Sequence, residues 1–548
     1  SYVAKNPSDP KAHLLLVLGY VGTQDFTALD IHLDELTQQI PVLADAVKFQ
    51  VATYFAKQHR FYLALKYLDT ISAKYSQHEL LSLRGEIYLN QNLISEAITT
   101  YEQLYNLDNQ ATDTLFTLAR LHILKGNYNK ASEYAKKLLT QEPAFTPGMV
   151  LLTTSYLMAG DVKLAKKTSE DILKLDPANT FAAFYLGLTN LLSGQQTAAI
   201  SAFKTAIAVT DFRDAQYGMS LAYLKSQDIG NAQKHLNQYI SITPNDSLSA
   251  LLSAAIALQQ GNKTQAITAY KKAGKLFIDL ESGAFNFDSF VNSSDADSAT
   301  QLALANFLYR QGFYNLTNDA IKNDAPSAIL LYLTKTRALR ELGKEKQAIS
   351  RYSKLADKYP ELMMPVIEIA DIEYAQGNKE KTLAGYLQVT KKHPKIIALR
   401  FKLATLYNEL NQPEKAIQEF QAILQQQKSD VVLNELASTY LEKLNAPKEA
   451  LKFAVQASKI NAANDNVKYT LADIYYQLGD YRKSNSLYQE VAKKVTGNSS
   501  FYCKVAEAAL KTGNKDRAAI YFEKALSTGQ DFPEHANAEK QLHALQYK

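Results

Sequence analysis

One cysteine, Cys503, stands in a chain of 548 residues, so no disulfide can form within it and no zinc site can be built on cysteines. Long apolar runs are missing too: no stretch approaches the roughly 20 uninterrupted apolar residues needed to cross a bilayer. The first residue, Ser1, is not a Met, so attachment to a membrane is expected only through an N-terminal lipid or signal already removed. Charge of one sign is scarce. The 60 Lys and Arg stand against 55 Asp and Glu, a net charge of +5, and no basic run is long enough to follow a phosphate backbone, which disfavours nucleic acid as a partner.

Chemistry-bearing motifs are equally sparse. The nine histidines are scattered at 13, 32, 59, 78, 122, 235, 393, 535 and 543, with no H-x-x-x-H pair. No glycine cluster reads as a phosphate loop or a dinucleotide fingerprint, and no Ser/His/Asp order is supported by a nucleophile elbow. Asp295-Ala296-Asp297, with Asp288 nearby, has carboxylates at alternate positions, but a loop Gly and a distal Glu are lacking for a calcium site. No catalytic residue, cofactor or metal is expected.

What the chain has in abundance is repetition, with a period of 34. A small residue recurs at Ala64, Ala97, Ala131, Ala165, Ala199, Ala232 and Ala266, then at Ala348, Thr382, Ala416, Ala450, Ser484 and Ala518. With that residue as position 20, a small residue usually falls at position 8 (Gly85, Ala119, Gly187, Ala404, Ala472), a Gly often at 15 (Gly160, Gly194, Gly377, Gly513) and an aromatic often at 24 (Tyr101, Phe203, Tyr352, Phe420, Tyr488). Pro143, Pro177, Pro244, Pro360 and Pro394 close units at position 32, where a ring without an N–H ends a helix. This pattern resembles the tetratricopeptide repeat (TPR) family. The resemblance implies an all-α fold, a right-handed superhelical solenoid of helix-turn-helix repeats, because one helical hairpin cannot bury its apolar stripe alone. Cys503, at position 5 of a first helix, is expected to be a buried or groove-lining thiol.

The spacing predicts two arrays joined by an irregular segment. Residues 1–274 form the first array, its opening unit degenerate with helices at Pro10–Tyr20 and Phe26–Gln39. Residues 275–325 hold an excursion with Leu276, Phe277, Ile278, Phe285, Phe287 and Phe290, then a reduced unit with helices near Thr300–Arg310 and Asn315–Asn323. The second array spans 326–526, and residues 527–548 supply a polar capping helix. Ala437 to Ala450 is one residue longer than its counterparts, an excess expected in the turn at Asn445-Ala446-Pro447.

In the TPR family, positions 2, 5, 9 and 12 of each first helix line the concave wall. Here they give an apolar stripe in the first array, with Phe181, Phe184, Leu188, Tyr217, Leu221, Leu224 and Leu251, and a mixed one in the second, with Arg337, Arg340, Tyr374, Phe401, Asn408, Tyr469, Asp473 and Tyr476. Apolar patches of this size mark partner sites. The alternative is that the first stripe is covered by winding of the solenoid or by self-contact. If it is free, Phe184→Glu with Tyr217→Glu should end partner capture without unfolding the chain. The clamp that holds chaperone tails needs Lys at 5 and Asn at 9, and Phe116 with Arg120, Phe184 with Leu188 and Phe401 with Thr405 depart from it.

The expected function is therefore a non-enzymatic scaffold that binds protein or peptide partners, with a polysaccharide stacked on tyrosines as a further candidate. Units such as FAAFYLGLTNLLSGQQTAAISAFKTAI and LSALLSAAIALQQGNKTQAITAYKKA are similar to those of the bacterial TPR lipoproteins that accompany exosortase and PEP-CTERM systems. That resemblance implies a periplasmic protein, anchored at the outer membrane by lipid, that serves exopolysaccharide assembly or surface-protein sorting. A cytoplasmic peptide-sensing adaptor and the repeat part of a glycosyltransferase-type enzyme remain the alternatives. Oligomeric state is left open.

Overall fold

The computed structural model describes residues 8–546 except 24, 211, 245, 274–289, 293, 323, 326, 496 and 529–531. Among the described residues every regular element is helical, and the helices follow one another as antiparallel hairpins. Contacts divide the chain into two compact units, one made of 1–109 with 396–548 and the other of 110–395. This division differs from the array boundaries expected from the repeat. Pairing between chain segments far apart in sequence, invisible to a 34-residue period, sets it.

Each hairpin is punctuated the same way. The first helix runs 12 to 17 residues in most units, as in Thr180–Leu192 and Met364–Ala375, and ends in a turn whose residue at position 15 is left-handed. Gly160 (φ 90°) and Gly377 (φ 81°) take that conformation at no steric cost. The next residue caps the second helix: the Asp161 and Asp228 carboxylates accept from the backbone N–H of Leu164 and Asn231. This recurring cap at position 16 completes the turn chemistry.

Packing within a hairpin explains the small residues. Ala131, Ala165, Ala199, Ala232 and Ala266 at position 20 are fully buried, as are Thr382 and Ser484. A methyl group added at Gly187 would lie 2.5 Å from the Phe203 ring, and one at Gly218 of the following unit also 2.5 Å from it. The position 24 ring is therefore clasped between glycines of two successive hairpins, which couples neighbours through shape.

Three expectations need amendment. The added residue of the 437–450 unit does not lengthen the turn. Asn411 and Asn445 hold equivalent left-handed positions with the following prolines in register, and the excess is absorbed as a π-helical turn over Thr439–Lys443 in the first helix. The helices of the reduced unit are Ala296–Arg310 and Tyr314–Ala320. Leu276, Phe277, Ile278, Phe285, Phe287 and Asp288 lie outside the described residues. At the end of the chain, His535–Gln546 packs on Lys515–Leu526 and buries Ala538 and Leu542.

Candidate functional site

In the unit of residues 110–395 the apolar stripe is already occupied. The helix Ala296–Arg310 packs against Arg213–Lys225, Ser247–Gln259 and Ile329–Glu341, and it is buried on nearly all sides, from Ala299 to Leu308. Its Phe307 stacks on Tyr217 with ring centroids 4.7 Å apart and meets Phe184 edge-on at 6.4 Å. The Tyr217 hydroxyl donates toward the carbonyls of Leu248 and Ala303, both 3.3 Å away. Where the helix ends, Arg310 pairs with Asp246, which also accepts from the Tyr239 hydroxyl. Beyond it, the Asn315 amide donates to the Met158 carbonyl at 3.0 Å.

The expectation that Phe184, Leu188, Tyr217, Leu221, Leu224 and Leu251 face a guest is therefore corrected. All six are 3% exposed or less and share one core with Leu302, Leu304 and Phe307. The physical reason is that an apolar wall left open in water is costly, and the chain covers it with its own helix. Phe181 stays out of that core, 55% exposed at the rim. Arg337 and Arg340 converge on Glu368, with Nη2 of Arg337 3.2 Å and Nη1 of Arg340 2.5 Å from its carboxylate oxygens. These guanidiniums are engaged within the chain. Tyr374 is 41% exposed.

In the unit of 1–109 and 396–548 the expected wall is less deeply covered. Phe401, Asn408, Tyr469 and Tyr476 are half-buried on the first helices Ile397–Glu409 and Asp465–Gln477. Phe401 meets Phe420 edge-on at 5.8 Å, and the Asn408 amide donates to Thr439 Oγ1 at 2.8 Å. Next to Tyr476 opens a cleft of about 160 Å³ lined by Leu441, Glu442, Asp473, Gln477, Tyr488, Lys504 and Glu507. Its floor is a fixed network: Lys504 donates to Asp473 at 2.7 Å and to the Tyr469 hydroxyl at 2.8 Å, while the Tyr488 hydroxyl donates to the other Asp473 oxygen.

Electrostatics follow from that burial. Loss of solvent alone would lower the Lys504 ammonium, but the Asp473 carboxylate beside it holds it above its ordinary value. Burial raises the Glu507 carboxyl, and the Glu534 charge raises it further against the opposing pull of Lys504. Asp473 is 8% exposed, so it shapes the floor and is corrected as a direct partner contact.

Repeat counting at positions 2, 5, 9 and 12 misses Lys504 and Glu507. A signal for the first was present: Lys504 follows Asp473 by 31 residues, and Glu368 follows Arg337 by 31. Opposite charges at positions 9 and 6 of consecutive units thus meet across hairpins.

The remaining candidates resolve into structure. Asp295 caps its helix, accepting from the Ser298 N–H at 2.6 Å. His13 Nδ1 and His32 Nε2 are 3.0 Å apart with their rings stacked, and His235 bonds Gln216 at 2.8 Å. Cys503 is buried, its thiol pushed up to about 12 chiefly by loss of solvent. No group of three or more metal-ligating side chains occurs among the described residues.

Family models of the tetratricopeptide repeat match residues 469–536, residues 78–110, 112–145 and 214–246, and residues 332–361 and 398–429. This chain is a tetratricopeptide repeat protein. Among curated relatives it is 24% identical over 261 residues to a TPR repeat-containing protein of Methanocaldococcus jannaschii, a match covering 45% of this chain and 42% of that one. It is 24% identical over 209 residues to the BBSome complex member BBS4 of Bos taurus, covering 37% and 39%. The human protein O-mannosyl-transferase TMTC3 matches at 25% identity over 35% of this TPR chain and 22% of its own length. The chain spans less than half the length of these relatives. Among solved structures, the APC/C hetero-tetramer Cut9-Hcn1 aligns at a TM-score of 0.37 and 15% identity, covering 86% of this chain and 96% of the other.

Proposed function

We propose that this TPR protein is a non-catalytic scaffold that holds an extended segment of a partner protein against the open wall of its 1–109 and 396–548 unit. The observation that carries the reading is the contrast between two walls built on one repeat. The apolar wall is filled by the chain's own helix, whereas Phe401, Tyr469 and Tyr476 are only half-buried and a cleft opens beside Tyr476. Aromatic faces flanked by amides suit an extended peptide, whose side chains pack on the rings while its backbone takes up polar contacts. Repetition supplies area and shape for holding a partner.

The finer placement is a periplasmic, lipid-anchored scaffold in exopolysaccharide assembly or surface-protein sorting. It is supported by the likeness of the repeat text to that lipoprotein class. The match to a protein named as an O-mannosyl-transferase favours a second reading, in which these repeats present substrates to a catalytic domain of a larger chain.

The test is a displayed library of random peptides selected on the purified chain, with the winners measured by calorimetry. Tyr476→Ala should weaken them by roughly tenfold or more, as expected for a central aromatic contact, while Phe181→Ala leaves binding unchanged. Equal affinity for both variants would refute the site. Binding of an oligosaccharide but of no peptide would replace the protein partner with a glycan.

A further inference from the structure

A solenoid holds together through neighbours, so contacts between repeats far apart in the chain are not expected from the repeat itself. This chain makes them. Arg60, at the turn before helix Phe61–Asp69, sets its guanidinium fork against both oxygens of Glu523, 463 residues away on helix Lys515–Leu526. The guanidinium carbon also lies 5.4 Å from the Phe26 ring centroid and 5.0 Å from that of Phe55, so the charge is clamped between aromatic faces and a carboxylate. Glu523 is 6% exposed, which removes most of the solvent that weakens a surface pair.

Further hydrogen bonds extend the junction. The Tyr62 N–H donates to Ser527 Oγ at 3.1 Å, the Tyr62 hydroxyl to Glu539 at 3.2 Å, and the Gln91 amide to the Ser527 carbonyl at 2.6 Å. The Tyr62 ring also packs against the core of the last two repeats. When the junction opens, the shielded Glu523 carboxylate loses its partner.

We infer that Arg60 and Glu523 form a clasp that makes the second and last repeats a single cooperative unit. The clasp rests on no assumption about partners. Its consequence is that the two repeats it joins are protected by each other.

Hydrogen–deuterium exchange on the full chain tests this. In Glu523→Arg, the amides of Phe61–Asp69 and Lys515–Leu526 should exchange roughly tenfold faster, the size of effect expected for a half-screened bidentate pair. Exchange in Thr180–Leu192, outside the clasp's unit, should be unchanged. Glu523→Gln, which keeps the shape and removes the charge, should shift both clasp helices in the same direction by less. The double variant Arg60→Glu with Glu523→Arg should exchange more slowly at both helices than either single variant. Acceleration confined to Lys515–Leu526, or a double variant no slower than the singles, would overturn the clasp. So would acceleration spreading to Thr180–Leu192, since the substitution would then be unfolding the chain.

Discussion

Placing a carboxylate at Tyr217 separates a covered wall from an open one. In the structure this side chain is fully buried, stacked on Phe307 and edge-on to Tyr239 at 5.1 Å. Losing a ring from such a site costs about 3–5 kcal/mol. An unpaired carboxylate left there adds several kcal/mol more, or protonates to escape the cost. The Asp246 charge, which already helps to raise the Tyr217 hydroxyl after burial itself, would oppose ionisation further. A sum above about 5 kcal/mol rivals the stability of a whole domain, about 5–15 kcal/mol. Tyr217→Glu should therefore lower the first melting transition, followed by circular dichroism at 222 nm, by roughly 10 °C or more. Tyr217→Phe is the control. It removes only long hydrogen bonds to carbonyls that lie within helices, at about 1 kcal/mol. Should Phe184→Glu with Tyr217→Glu instead keep wild-type helicity and melting, Ala296–Arg310 does not cover this wall and the apolar groove returns as the partner site.

Two further perturbations probe the packing and the cleft. Gly187→Ala drives a methyl group into the Phe203 ring, so it should destabilise the chain by about 1–3 kcal/mol in urea unfolding, and Phe203→Leu in the same chain should recover part of that loss. Glu507→Gln should raise the melting temperature at pH 7 and lose that advantage near pH 4: a carboxyl whose folded pKa lies above its unfolded value favours folding when protonated and opposes it as pH rises through the folded pKa. A Glu507→Gln chain with unchanged melting at pH 7 would show that the cleft is wet enough to leave this carboxyl unstrained.

What could be read from the sequence was whatever repeats. The hairpins, the small residues at 8 and 20, the rings at 24 and the left-handed turns all obey local geometry, and a period of 34 reports local geometry. The π-turn at Thr439–Lys443 marks a limit of that reading: counting detects an added residue but not where the backbone stores it, because a helix absorbs one residue by widening a turn as readily as a loop does by lengthening. The site was legible only as a set of positions. Position 9 holds Leu188, Arg337 and Asp473, and their environments differ for reasons outside their own units: a distant helix covers the first, Glu368 neutralises the second, and Lys504 anchors the third.

The departures share one cause. A perfect array of identical hairpins exposes one unsatisfied face along its concave side and one at each end, and hydrophobic burial acts on any apolar surface without regard to repeat register. This chain covers the wall of its 110–395 unit with Ala296–Arg310 and packs the half-buried Tyr62 of its second repeat against its last. The first closure uses an irregular segment, and the second uses side chains that follow an ordinary left-handed turn at His59. Neither closure covers Phe401, Tyr469 and Tyr476, which are only half-buried.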